Sequence, residues 1–378
     1  LFRSIFLYWL SKALKRFEKY LDCPTEDDLS CLGVAAVYRM SASLVIMHLF
    51  VFVFLLLRNS WSKAINEGVW LLKTLIVVGF FVGGFFVDND VFRTYSKVAM
   101  AVSILFLIFQ IVMIIDIFYT WNEKLIGGYD QGRRGNGFLL ILFTIILYAG
   151  FIYLMVRSFM WYHDCSGGAV AIAIDLGLVA LATLFVLLRT NPNSSLFTCG
   201  AVSCYSMYLV WAGLTNIGDP VCNNWYNESS ALTINLIVGI VLALVAVLYV
   251  SGVSAEKSSG KVKIAKDLMD EEDQNSTQAT DIEKKYQEKE KPKEEKKSEL
   301  SDYKKFGHIK FHIIMIIASF YVAMLLTNWG SPMIHDNKYL QLSANNTAKW
   351  IRIGTGWGTM ALYIWTLIAP KLFPDREF

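Results

Sequence analysis

Apolar residues in this chain fall into nine long runs separated by short polar stretches. The runs cover roughly 41–57, 69–87, 98–121, 137–156, 169–188, 196–215, 231–250, 309–329 and 350–369. Each meets or approaches the ~20 apolar residues that a helix needs to cross a hydrocarbon core of ~30 Å. None shows the strict alternation over ~10 residues that marks a membrane strand. A soluble domain rarely needs so many buried helices. The pattern therefore predicts an all-α, polytopic transmembrane protein, since a helix in lipid satisfies its own backbone hydrogen bonds. Residues 1–10, LFRSIFLYWL, read as the end of one more span, which brings the expected number to about ten.

Composition agrees. Of 378 residues, 55% are hydrophobic, and mean hydropathy is +0.43. Net charge is only +3, but it is unevenly placed. Residues 256–305 hold 13 Lys and 14 Asp or Glu, whereas the other 328 residues are about 12% charged. This divides the chain into a membrane region at 1–251, a charged segment at 252–305, and the final two spans with a short tail at 306–378. The charged segment has almost no apolar side chains with which to build a core, so it reads as a disordered loop or at most a frayed helix. The near-balanced charge gives no reason to expect a nucleic-acid partner, and no nucleic-acid-binding motif occurs.

With the charged loop placed in the cytosol and the spans alternated, Arg58, Lys63, Lys124, Arg133, Arg134, Arg189, Lys371 and Arg376 fall on the cytosolic side, as the positive-inside rule favours. Lys12, Lys15, Arg16 and Lys19 run against it, in a stretch with the pattern of an interfacial amphipathic helix. The C-terminus is then cytosolic too, in a multi-pass protein of the plasma membrane or endomembranes. Cys23, Cys31, Cys165 and Cys222 all fall outside, where disulfides form. Cys23–Cys31 is the obvious local bridge and Cys165–Cys222 a possible second. The sequons at Asn227 and Asn345 also fall outside and are glycosylation candidates, whereas that at Asn193 falls inside.

Several polar residues stand where lipid is expected. Asp116 precedes Trp121 by five residues, about 7–8 Å of helix rise, so it lies within the hydrocarbon. Asp175 lies deeper, in AVAIAIDLGLVALATLFVLL. A carboxylate in mid-membrane costs about 2–3 kcal/mol on insertion scales. Each acid therefore faces a hydrated furrow or a hydrogen-bonded contact between helices in the protein interior, or is protonated. Lys73, Arg39, Arg157, His308 and His312 read as interfacial anchors. Gly79/Gly83 and Gly354/Gly358 have the GxxxG spacing of helix contacts. No nucleophile elbow, zinc-protease motif, Walker loop or CxxC pair occurs, so the chain reads as a non-enzyme without metal or cofactor, whose transport is not driven directly by ATP.

At this point the stretch DIFYTWNE at 116–123 becomes informative. It resembles the D-x-x-x-x-W-N-E signature of the serine incorporator family. VYRMS at 37–41, SCYSMYLVWAGLTN at 203–216 with the following Cys222-Asn223, HIIMIIASFYVAMLLTNWGSP at 312–332 and WIRIGTGWGTMALYIWTLIAP at 350–370 resemble other family segments, in the same order. The resemblance implies about ten spans in two bundles separated by one long tilted helix, for which 98–121 is the longest run here. It also implies ATP-independent scrambling of phospholipids, phosphatidylserine included. Asp116 and Asp175 would then line a polar lipid groove with Asn122 at its mouth. Two alternatives remain: a non-catalytic partner that supplies serine for phosphatidylserine and sphingolipid synthesis, and a structural membrane subunit. The implied partners are membrane phospholipids, with a homo-oligomer or larger membrane complex possible. Asp175 departs from the neutral residue expected there in many relatives.

Overall fold

The computed structural model describes residues 29–56, 66, 68, 70–165, 167–191, 193–225, 230–231, 233–249, 293–330 and 346–373, without the side chains of 29–31 and 293–307. Most of these residues are helical, and no strand occurs among them. In chain order the helices are α1 (Leu29–Leu56), α2 (Trp70–Gly83), α3 (Asn89–Asp130), α4 (Arg134–Tyr162), α5 (Gly168–Leu187), α6 (Leu196–Leu214), α7 (Thr233–Tyr249), α8 (Lys293–Leu326) and α9 (Asn346–Leu372). Each of the nine apolar runs overlaps one of them.

Six helices among the described residues are long and apolar enough to cross a membrane: α1, α3, α4, α5, α6 and the His308–Leu326 part of α8. Trp70–Phe86 and α7 are apolar but shorter. α9 is long, but Lys349, Arg352 and several Gly, Thr and Trp dilute its hydropathy, and it is not among the six. The outer surface supports the membrane reading. On α4 only Phe151, Ser158 and Tyr162 are buried, while Phe138, Ile141, Ile145, Ile152 and Tyr153 are openly exposed. An apolar surface of that extent is stable only against lipid or another protein.

The chain forms two compact units. The first comprises Leu1–Tyr38, Phe85–Ala246 and Phe320–Phe378. Its centre is α6, which packs most extensively on α9 and α4 and then on α5. α6 can take this position because small residues (Gly200, Ala201, Ser203, Ser206, Ala212, Gly213) let neighbours approach. A Cβ on Gly213 would lie 2.6 Å from Ile353 Cγ1 and 2.9 Å from the Lys349 carbonyl oxygen. Gly356 is the contact glycine of α9, with a Cβ position 3.0 Å from the Ser206 carbonyl. The GxxxG expectation is corrected here. A methyl added at Gly79, Gly83, Gly354 or Gly358 would have nothing within 4 Å among the described residues. Two residues along a helix turn about 200°, so Gly356 faces α6 and its two neighbours face away.

Within this unit α3 runs for 42 residues, about 63 Å at 1.5 Å per residue. It is capped by Asp88, whose side chain accepts from the Asp90 N–H at 3.0 Å. The apolar run at 98–121 thus continues as helix through the polar WNEKLIGGYD. The Cys165–Cys222 disulfide ties the α4–α5 turn to the segment after α6. Trp161, Trp211 and Trp225 cluster beside it, with ring centroids 5.5 and 6.0 Å apart. Cys199 and Cys204 are free thiols.

The second unit comprises Arg39–Gly84 and Val247–Ser319. Here the Arg39 guanidinium donates to the Gly84 carbonyl at 2.9 Å, and the Ser41 hydroxyl to the Ser319 carbonyl at 2.8 Å. His48 and His312 meet through their Nδ1 atoms at 3.0 Å, and His312 Nε2 lies 2.9 Å from Asn66 Oδ1. The sequence alone reads His312 as an interfacial anchor. Instead it is buried against a second histidine, because α1 brings His48 to the same level.

Candidate functional site

The three residues singled out for a lipid groove all lie in the first unit, in different surroundings. Asp116, on α3, is exposed. Thr120, one turn on, is half-buried, and Glu123, two turns on, is exposed. Positions i, i+4 and i+7 share one helix face, so these three form a polar stripe about 10 Å long. Trp121 beside it is also exposed.

Asn122 points the other way and is buried. Its Oδ1 accepts from the Ser195 hydroxyl at 2.6 Å. Ser195 is the N-cap of α6 and accepts from the Thr198 N–H at 3.2 Å. Asn122 therefore latches α3 to the start of α6.

Asp175, on α5, is 0% exposed. Its Oδ1 accepts from the Ser206 hydroxyl, which also lies 2.9 Å from the Gly356 carbonyl of α9. Its Oδ2 is buried without a partner. Ser195 and Ser206 are eleven positions apart on α6, about 16 Å along its axis. Asn122 and Asp175 thus sit at separate levels of the bundle.

A further polar cluster surrounds Arg352, near the start of α9. Arg352 is 8% exposed. It donates to the Ala212 carbonyl at 3.2 Å and to Asn328 Oδ1 at 3.0 Å. Asn328 in turn donates to Asn216 Oδ1 at 2.8 Å, and Asn216 donates to the same Ala212 carbonyl at 2.8 Å. The loop of bonds is closed and contains no carboxylate. Beside it lies a partly open cavity of about 40 Å³, lined in part by Gln110, Tyr205, Tyr208, Asn235 and Tyr321. Sequence reasoning passes over Arg352. The signal is a guanidinium two residues into the run WIRIGTGWG, which is easily taken for an interfacial anchor.

Among the described residues, no group of three or more His, Cys, Asp or Glu is placed to hold a metal ion. Cys23 and the side chain of Cys31 lie outside the described residues, as do both glycosylation candidates, Asn227 and Asn345, and residues 252–292 of the charged segment.

Helices of this length and outward apolarity define an integral, multi-pass helical membrane protein. The family description "Serine incorporator (Serinc)" matches residues 1–376, and the chain belongs to that family. Similar proteins include a probable serine incorporator of Nematostella vectensis, 29% identical over 92% of this chain and 81% of that protein. Serine incorporator 2 of Bos taurus is 27% identical over 95% of this chain and 81% of its own length. Serine incorporator 3 of Mus musculus is 26% identical over 95% and 83%.

Proposed function

We propose that this protein is a passive phospholipid scramblase, moving lipids that include phosphatidylserine between leaflets without ATP. The observation that carries the reading is the exposure of Asp116 on an apolar helix. An exposed acid at that depth draws water and polar groups toward it, because charge is costly in hydrocarbon. The stripe Asp116–Thr120–Glu123 gives amine-bearing headgroups a stepped polar path, while their acyl tails stay in lipid. No covalent step is needed, in keeping with the lack of catalytic and Walker motifs. In this reading Asp116 meets the lipids. Asn122 and Asp175 hold α3, α5, α6 and α9 together behind it.

The architecture that accompanies this reading has about ten spans in two bundles with α3 as the long tilted element. Its length is about twice a ~30 Å hydrocarbon core, and tilt accommodates such excess. The disulfide supports placing the Cys165 and Cys222 loops on the oxidising side, with 252–305 in the cytosol. The test is scrambling of a labelled lipid by purified protein in liposomes, read with a membrane-impermeant quencher.

A second reading rests on the names of the relatives: a non-catalytic role in serine incorporation. It predicts that serine enters phosphatidylserine and sphingolipids faster in cells expressing this chain, and more slowly when the 252–305 segment is deleted.

A further inference from the structure

The cavity beside Arg352 has the features of a binding site. Its guanidinium is buried, and its hydrogen bonds go only to neutral oxygens. A guanidinium has five N–H donors, and two are engaged. No carboxylate lies within ion-pair distance of it among the described residues. A buried charge without a counter-charge is costly unless something compensates it. The cavity lining supplies a second observation. Gln110, another residue of that lining, is 2% exposed, and its buried Oε1 has no hydrogen-bond partner. That acceptor calls for a donor, as the guanidinium calls for an anion. Tyr208 and Asn235 also line the cavity, with the Tyr208 hydroxyl donating to Asn235 Oδ1 at 3.5 Å.

Asn328, which holds Arg352, and the next residue, Trp329, take φ of 49° and 61°. Asn takes that region readily, so the less usual residue is Trp329, whose N–H closes the end of α8 on the Met324 carbonyl at 2.8 Å. The cavity has room for about three water-sized groups. It is too small for a whole lipid but large enough for one phosphate or carboxylate group.

We propose that Arg352 and Gln110 form an anion site that takes a phosphate or carboxylate group carrying an adjacent N–H or O–H donor. The anion pairs with Arg352 and the donor meets Gln110 Oε1. Such a group is found on a lipid headgroup entering from the membrane and on a small soluble zwitterion. This site is separate from the Asp116 stripe, and its occupancy does not depend on scrambling.

The full chain, purified in detergent, is titrated with dioctanoyl phosphatidylserine, O-phosphoserine and, as a neutral control, dioctanoylglycerol, with binding followed by calorimetry. Saturable binding of the phosphatidylserine probe, with none of dioctanoylglycerol, is the expected result. Binding of O-phosphoserine as well means that the headgroup alone suffices; its failure to bind means that the lipid is the source. Arg352→Gln weakens binding by about tenfold or more, the loss expected for charge-assisted bonds. Gln110→Leu removes a group with no internal partner, so it weakens binding roughly fivefold while the unliganded melting temperature holds. If Arg352→Gln does not fold, Gln110→Leu decides alone. Equal binding by Gln110→Leu and the native chain, equal binding of dioctanoylglycerol, or no saturable binding by either anionic probe overturns the proposal. Asp116→Asn leaves this binding intact, so the failure of one reading is distinguishable from the failure of the other.

Discussion

The Ser206 hydroxyl stands between the Asp175 carboxylate and the Gly356 carbonyl. It joins three helices with one proton for two acceptors. An Asn amide in place of the carboxylate supplies a second proton and satisfies both. Asp175→Asn is therefore expected to fold with stability within about 1 kcal/mol of the native chain, whereas Asp175→Leu leaves Ser206 bonded to Gly356 but gives up the α5–α6 hydrogen bond and overpacks the contact, losing about 1–3 kcal/mol. Thermal unfolding followed by tryptophan fluorescence separates the two. Lipid transport by Asp175→Asn is expected to remain within about twofold of native, a rate difference worth well under the 1.36 kcal/mol of a tenfold change.

Gly213 has no room for a methyl group, and one on Gly356 would lie 3.0 Å from the Ser206 carbonyl oxygen, so that neighbour would have to give. Gly213→Ala places a Cβ against a backbone carbonyl and Ile353, and overpacking of this kind costs about 1–3 kcal/mol. Gly358→Ala meets open space and is expected to be neutral or to gain about 0.5–1 kcal/mol from helix preference. The same unfolding measurement checks both. Equal loss at the two sites contradicts the assignment of faces.

The Cys165–Cys222 bridge closes a loop of 57 residues, for which loop-closure entropy gives about 4 kcal/mol. Cys165→Ser is expected to lower the melting temperature markedly. Non-reducing mass mapping of the native protein should recover the 165–222 linked peptide. Reduction with a membrane-impermeant agent, applied to intact cells, should break it if this end of the unit faces outward.

Much of the fold is legible in the amino-acid sequence. All nine apolar runs overlap helices, because length and hydropathy are local properties. Boundaries are less legible. α3 outruns its apolar stretch at both ends, since polar residues continue a helix at little cost once they leave the lipid. Faces are less legible again. Asp116, Asn122 and Asp175 all read as polar groups at membrane depth, but only packing shows Asp116 outward and the other two bonded to Ser195 and Ser206. Arg352 escapes notice because sequence cannot show that the groups around a cation are neutral. The His48–His312 pair escapes it because the two residues lie 264 positions apart.

The most direct test of the proposed function is the rate at which reconstituted protein brings inner-leaflet labelled phosphatidylserine within reach of an impermeant quencher. The native chain is expected to exceed protein-free vesicles, and Asp116→Asn to lower the rate by about tenfold, equivalent to 1.36 kcal/mol, with its melting temperature unchanged. Native protein that matches empty vesicles, or Asp116→Asn that scrambles at the native rate, contradicts it.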